Sequence, residues 1–144
     1  MYGIDPADEN AVTGLANLIA EGAYLAPGDH DAILIGKFLL SQHVPVDDPN
    51  LAALDRVDAG TKIRITTSGV TREVTVKGII DSKTDALTRN VFMTDTQLRA
   101  MIGRGDGNVG HIAVRLAPDG NPAAVRDILT RHGAGRFAKV QTFE

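Results

Sequence analysis

Two short polar runs contain the residue types from which metal sites are built. Asp29, His30 and Asp31 offer two carboxylates and an imidazole in succession. Adjacent side chains point in divergent directions, and no second His or Glu follows at the i+4 spacing that would bring two ligands onto one ion. The triplet is therefore interpreted as a solvated turn, and Asp47 with Asp48 as a loop charge pair rather than a magnesium site.

The glycine-rich run from Gly103 to Asn108 resembles three kinds of functional loop. A phosphate loop needs its glycines between a strand and a helix, whereas these follow a predicted helix and precede a predicted strand. A calcium loop needs further acidic positions and a bidentate Glu beyond Asp106 and Asn108. Arg104, Gly105 and Asp106 match an adhesion tripeptide, but matches of that length are common by chance. A plain turn is predicted.

Nucleophilic catalysis would need a serine or a similar group beside a base. The serines are Ser41, Ser68 and Ser82, and the histidines are His30, His43, His111 and His132. No serine lies in a Gly-x-Ser-x-Gly elbow, and the histidines are scattered. His132 follows a predicted helix, where the dipole alone favours it. We therefore assign no catalytic, cofactor-binding or metal-binding residue and predict that the chain is not an enzyme.

Composition excludes several classes of protein. The 144 residues carry a net charge of −3, and 43% are hydrophobic but only 4% aromatic, which predicts one aliphatic core or two small lobes. A basic patch with stacking aromatics is missing, so nucleic acid is not an expected partner. The sequence contains neither an apolar run of membrane-spanning length nor a signal peptide at Met1. The absence of cysteine leaves the compartment open.

The clearest β pattern lies in the first two thirds of the chain. Ile33 to Ile35 is continuously apolar and predicts a strand buried on both faces. Residues 60–65 and 72–80 alternate apolar and polar positions around a Ser68-Gly69 turn, which predicts a hairpin. Further strands are predicted at residues 2–5 and 91–93, and residues 46–58 are interpreted as an insertion loop.

Helical patterns occupy the segments between these strands. Residues 8–20 place apolar side chains at helical spacing, and residues 37–43 predict two further turns ended by Pro45. Thr94 and Gln97 form a capping box at the start of a helix that Gly103 ends.

The last third predicts a strand, a helix and a strand in succession. Residues 111–116 alternate, Asn121 and Pro122 begin a helix, and residues 137–143 form the final strand. This order is typical of a helix crossing over two parallel strands.

Six short runs, taken together, resemble a known domain family. They are Gly3–Pro6, Glu21–Leu25, Ala32–Lys37, Gly60–Ile63, Val74–Ile79 and Val91–Thr94. Their order and spacing resemble the MacB-like periplasmic core domain of FtsX-like ABC transporter permeases. Residues 111–143 are similar to the strand-helix-strand half of that domain's porter-like lobe.

The resemblance implies an α+β fold with a β-rich lobe at 1–93 and a porter-like lobe at 94–144. The second lobe would be incomplete, because the family's first strand-helix-strand unit is not present, and the chain would be a piece of a longer permease. Expected partners are the permease's own transmembrane helices, a cytoplasmic ATPase acting indirectly, and a periplasmic or extracellular protein. The location would be the extracytoplasmic side of the cell membrane, with no cofactor.

Two other functions stay open on the sequence alone. One is a free-standing β-rich module that binds peptide or carbohydrate, and the other is a hydrolase with an unrecognised site. Membrane helices encoded on either side of this chain would favour the permease. Exposed sheet edges in an incomplete lobe could also pair two copies into a homodimer.

Overall fold

The computed structural model describes residues 1–43 and 53–142 of the chain, which has an α+β fold. The strands are β1 (Tyr2–Ile4), β2 (Ile19–Gly22), β3 (Ala32–Gly36), β4 (Lys62–Thr67), β5 (Val70–Ile80) and β6 (Val91–Thr94). The α-helices are α1 (Pro6–Thr13), α2 (Asp85–Thr88), α3 (Asp95–Ile102) and α4 (Pro122–Arg131). Asp47, Asp48 and most of the predicted insertion loop lie outside the described residues.

The six strands form one mixed sheet in the order β1-β6-β3-β5-β2, with β4 also paired to β5. β1 runs parallel to β6 and β3 parallel to β5, whereas the other pairs are antiparallel. The long β5 is shared along its length, because its first half pairs with β4 and its second half with β2 and β3. The sheet thereby joins segments from nearly all of residues 1–94.

The predicted central strand is confirmed, and both of its faces are buried. Ile33, Leu34 and Ile35 are all fully buried in β3. Ile33 and Ile35 pack in one apolar cluster with Val76, Met93 and Met101, and Leu34 packs in another on the opposite face. A continuous apolar run is what two covered faces require.

The predicted hairpin is also confirmed, as β4 and β5. Ser68 and Gly69 form its turn with φ of 50° and 79°. Positive φ at both central positions is typical of the tight turns that match strand twist. Ile65 and Val74 are buried on one face, whereas Arg64 and Glu73 are exposed on the other.

The helix predicted over residues 8–20 is wrong in its second half. α1 begins after Asp5, whose side chain accepts from the backbone N–H of Ala7 and Asp8, and ends at Gly14 in the left-handed conformation (φ 72°). A short 3₁₀ turn follows, and Ile19–Gly22 then pairs with β5 as a strand. Apolar spacing alone could not distinguish a continuing helix from a turn followed by an edge strand.

The two helical turns predicted at residues 37–43 are two separate 3₁₀ turns, Lys37–Leu39 and Ser41–His43. The extended backbone of Leu40 separates them and forms an isolated parallel bridge with Leu54. Leu40 is buried in the core, and this anchoring prevents a continuous helix.

The chain divides into two compact units, unit 1 (Met1–Gly110) and unit 2 (His111–Glu144). The lobe boundary that the resemblance implies lies after Met93, but α3 packs on β1, β5 and β6 and supplies Met101 to the core of unit 1. Within the described residues, no helix combines the length and apolarity that a membrane span requires.

Unit 2 contains the predicted helix but not the strands predicted on either side of it. α4 begins at Asn121, whose side chain accepts from the Ala124 N–H, and a 3₁₀ turn (Ala134–Arg136) follows it. Residues 111–116 have no regular secondary structure, and neither do 139–142. The strand-helix-strand prediction is therefore wrong as stated. Alternating side chains form a strand only when a neighbouring strand accepts the backbone hydrogen bonds.

Candidate functional site

The turn that carries the metal-like triplet is held by an ion pair. Asp29 Oδ2 accepts from Lys77 Nζ at 2.6 Å and from the Ala26 N–H at 2.8 Å. Burial by itself would raise the pKa of Asp29, but the hydrogen bonds from Lys77 and Ala26 outweigh it and hold that pKa below its ordinary value. The Asp31 side chain is exposed, and its backbone carbonyl accepts from the Thr75 N–H at 2.7 Å. The carboxylates of Asp29 and Asp31 thus have different surroundings.

Two buried polar side chains connect this turn to the start of α3. Thr94 Oγ1 accepts from the Gln97 N–H at 3.3 Å and donates to the Asp29 carbonyl at 3.0 Å. Gln97 does not complete the predicted capping box by reaching back to Thr94. With its amide nitrogen directed inward, it donates to the carbonyls of His30 (3.2 Å) and Ala32 (3.0 Å). We call Asp29, Lys77, Thr94 and Gln97 the polar junction, since they join the turn, β5, β6 and α3.

The half-buried hydroxyl of Tyr24 fastens α1 to the loop between β2 and β3. Tyr24 donates its hydroxyl to the Pro6 carbonyl at 3.1 Å. Burial, followed by the nearby charges of Glu9 and Asp5, raises the pKa of Tyr24 to about 12. A hydroxyl that stays protonated and bonded in this way has a structural role.

Arg99 organises the glycine-rich loop after α3. Gly103 ends the helix in the left-handed conformation, and the guanidinium of Arg99 then donates to the carbonyls of Asp106 and, at 3.0 Å, Asn108. The Asp106 carboxylate lies 3.7 Å from Arg99 Nη1 and 3.8 Å from Arg104 Nε. The charged residues of the Arg104-Gly105-Asp106 tripeptide are therefore engaged with each other and with α3.

The serines have structural environments. Ser41 donates to the Asp55 carboxylate at 3.2 Å, Ser82 accepts from the Thr84 N–H at 3.1 Å, and Ser68 lies in the hairpin turn. The four histidines are all exposed, and His132 caps the end of α4 as predicted from its position.

The described residues include a concave region in each unit. The cleft in unit 1 measures about 160 Å³ and includes the Lys37–Asp81 ion pair (2.7 Å), Glu21 and His43. It is smaller than typical ligand pockets, which enclose about 300–1,000 Å³. The concavity in unit 2 measures about 450 Å³ and is lined by Thr130–Gly133, Gly135 and Arg136. It lacks the apolar lining that such pockets usually have.

Across residues 1–43 and 53–142, no group of three or more His, Cys, Asp or Glu side chains is placed to hold a metal ion.

The polar junction and the role of Arg99 were not predicted from the sequence. Asp95 and Arg99 stand at the i+4 spacing of an ion pair, and this was the one available signal for Arg99.

Comparison with known proteins gives no assignment, because no protein-family model and no curated protein matches this chain.

Proposed function

We propose that this chain is the extracytoplasmic domain of an FtsX-like, MacB-like ABC transporter permease. In this role it is a non-enzymatic rigid body that passes the motion driven by a cytoplasmic ATPase to an exported substrate or a partner protein. The proposal rests on the sequence resemblance and on one structural observation, namely how the sheet joins distant parts of unit 1.

That observation is the parallel pairing of β1 with β6. Tyr2 lies opposite Phe92, ninety positions further along the chain, and their rings stack with centroids 5.4 Å apart. A force applied along β1 would act on all the hydrogen bonds of this ladder together rather than one at a time. From β6 it would pass to β3 and then to β5, in which Val74, Val76 and Ile80 are fully buried. This is the mechanical behaviour that a coupling domain needs.

The polar side chains of unit 1 support the same reading. Lys77 and Lys37 are each bonded to one carboxylate, at 2.6 and 2.7 Å, and both lysines are half-buried. Such pairs fix the loops against the sheet, and the cost of losing a partner rises with the burial of the group that is left. We therefore expect unit 1 to move as one piece.

The location can be tested by cysteine labelling in intact cells. The chain has no cysteine, so Val70→Cys at the exposed hairpin turn introduces one accessible thiol. In the parent protein with its other cysteines removed, we expect a membrane-impermeant maleimide to label this introduced thiol without permeabilisation. Val76→Cys is the matched control, because Val76 is fully buried and its replacement should react only after unfolding. Labelling of the Val70→Cys variant only in permeabilised cells would refute the extracytoplasmic location.

The mechanical role can be tested separately by hydrogen exchange on the full transporter during ATP turnover. We expect the amides of β3 and β5 to exchange no faster than in the resting state. If these amides opened during turnover, the rigid-body role would be wrong even though the location held.

A further inference from the structure

Two Asp-Gly dipeptides lie in exposed parts of the chain, and their backbones are held differently. Asp106 and Gly107 belong to the glycine-rich loop after α3, whereas Asp119 and Gly120 belong to the turn before α4. Glycine places no side chain beside its own peptide nitrogen, so this nitrogen can approach the carboxyl carbon of the preceding aspartate. The chemistry that follows from such an approach is a covalent change in the main chain.

In the turn before α4 the glycine nitrogen is engaged. The Gly120 N–H donates to the Ala117 carbonyl at 2.8 Å. The surroundings are also tight, because a Cβ at Gly120 would lie 2.8 Å from Leu116 Cβ and 3.0 Å from the Ala117 carbonyl oxygen. The nitrogen would have to leave this hydrogen bond before it could attack Asp119. The net strength of such a bond is equivalent to about a two- to tenfold change in an equilibrium constant.

In the loop after α3 the glycine nitrogen is open. Within residues 1–43 and 53–142 the Gly107 N–H donates to no acceptor, and beyond its chain neighbours nothing lies within 4 Å of its Cβ position. The Asp106 carboxyl group is already directed toward the following backbone, since its Oδ1 accepts from the Asn108 N–H at 3.3 Å. A turn of this kind brings the carboxyl carbon near the intervening nitrogen, and such proximity favours reaction.

The contacts of Arg99 do not protect this dipeptide. Its guanidinium donates to the carbonyls of Asp106 and Asn108, which leaves the Gly107 nitrogen uncovered. The Asp106 carbonyl and the Gly107 nitrogen belong to one peptide group, so a positive charge at the oxygen favours loss of the proton from the nitrogen. The carboxylate itself lies 3.7 Å from Arg99 and 3.8 Å from Arg104, distances longer than those of hydrogen bonds.

We propose that Asp106 is a site of spontaneous isomerisation to isoaspartate in the native protein, and that the turn protects Asp119 from the same reaction. The Gly107 nitrogen attacks the carbon of the Asp106 carboxylic acid and forms a C–N bond. The hydroxyl of the acid leaves and takes the proton of that nitrogen, so that one water molecule is released.

Water then opens the five-membered succinimide. Addition at the former main-chain carbonyl carbon gives isoaspartate, and addition at the former carboxyl carbon restores aspartate. One water molecule is released and one is consumed, so the mass of the chain is unchanged and the reaction needs no oxidant, reductant or cofactor.

Isoaspartate would change how Arg99 holds the loop. The main chain would then run through the former side chain of Asp106, which adds one methylene, and the former Asp106 carbonyl would become a free carboxylate. Arg99 bonds the carbonyls of Asp106 and Asn108 together, so the altered spacing between them should loosen the loop. We expect faster amide exchange of this loop in the isomerised protein. The inference is independent of the proposed transporter function.

The two dipeptides fall in separate tryptic peptides, so each serves as a control for the other. Cleavage after Arg104, Arg115 and Arg126 gives residues 105–115 and 116–126. The whole native chain is incubated at neutral pH, and isoaspartate in each peptide is measured by mass spectrometry with electron-transfer fragmentation. Synthetic peptides of the same two sequences, incubated in parallel, give the rates without the fold.

We expect the ratio of the native rate to the peptide rate at Asp106 to exceed the ratio at Asp119 by at least about threefold, because only Gly120 has to break a hydrogen bond. Equal ratios at the two sites would overturn the inference. So would a native chain in which Asp106 stays unchanged while the peptide of residues 105–115 isomerises.

Gly107→Ala tests the nitrogen that attacks. Its methyl group crowds this nitrogen, so isomerisation at Asp106 should slow several-fold, whereas the rate at Asp119 should not change. The urea transition should stay the same, since the Cβ position of Gly107 is open. An unaltered rate at Asp106 in this variant would contradict the proposed route.

Discussion

At the scale of single residues, the polar junction shows how a sequence-local motif acquires a long-range role. Thr94 caps α3 as its position predicts, yet its hydroxyl also bonds to Asp29, which is 65 positions away. The Gln97 amide likewise crosses to the turn. Capping potential is visible in the sequence because it depends on neighbours within three residues. The identity of a distant carbonyl depends on the completed sheet, so the junction could not be predicted.

The first prediction concerns the ion pair of this junction. Replacing Lys77 with Met should lower the free energy of unfolding by about 1–2 kcal/mol, because a half-buried carboxylate loses its partner. In the native chain the lowered pKa of Asp29 contributes stability above the ordinary value of 3.8, and this contribution is lost as the pH falls through the folded pKa. The variant should therefore show a smaller decline in stability on acidification, measured by urea unfolding at a series of pH values.

The matched control is Lys62→Met. Lys62 pairs with Glu73 at 3.3 Å, but both side chains are more than half exposed. A surface pair of this kind contributes about 0–1 kcal/mol. If both variants lost the same stability across the pH series, the Lys77–Asp29 pair would contribute no more to stability than an exposed ion pair.

The second prediction concerns the close approach of backbone segments at Gly36. A Cβ at this position would collide with the carbonyl of Thr88. Gly36→Ala should therefore cost about 1–3 kcal/mol, the usual range for overpacking, in the free energy of unfolding measured with urea. Gly28→Ala is the control, because nothing lies within 4 Å of its Cβ position, and it should change stability by less than about 0.5 kcal/mol. Equal costs at the two positions would contradict the packing seen at β3.

At the scale of elements, the sequence predicts those helices and strands that depend mainly on interactions among their own residues. β3, the β4–β5 hairpin, β6, α3 and α4 were predicted because their own residues determine burial pattern, turn or cap. The helix predicted beyond Gly14 was wrong, as were the strand predicted at 111–116 and the described part, 137–142, of the final strand. In each case a local pattern was compatible with two structures, and for Ile19–Gly22 it was pairing with β5 that decided between them.

The third prediction concerns the element that follows α3. Removing the guanidinium with Arg99→Met should release the loop from Gly103 to Asn108, since two of its carbonyls lose their donor. We expect faster amide exchange and faster proteolysis within this loop, with little change in the exchange of β3. Arg104→Met is the control, because Arg104 contacts Asp106 only at 3.8 Å and is 61% exposed. Unchanged exchange in the Arg99 variant would show that the loop is held by its own backbone.

At the scale of the whole molecule, stability is concentrated in unit 1. The core residues form two apolar clusters on opposite sides of the sheet, and both end before Gly103. The two units also differ in charge. Unit 1 contains ten basic and fifteen acidic residues, whereas unit 2 contains five basic and three acidic residues. An aliphatic core was predictable from composition, but its restriction to one unit was not.

The fourth prediction follows from this concentration. A chain shortened to residues 1–110 should keep the cooperative urea transition of the whole protein, within about 0.5 kcal/mol, because it retains every core residue. A chain shortened to residues 1–94 should fail to fold, since it loses α3 and buried Met101. A markedly weaker 1–110 fragment would mean that unit 2 contributes to the stability of unit 1.

The pairing of β1 with β6 also constrains how the protein is made. During synthesis Tyr2–Ile4 leaves the ribosome before its partner strand, which emerges about ninety residues later. At translation speeds of about 5–20 residues per second, several seconds pass before that edge can close. Throughout this interval β1 has no β6 ladder to join, so a chaperone would have its longest opportunity to act on this strand.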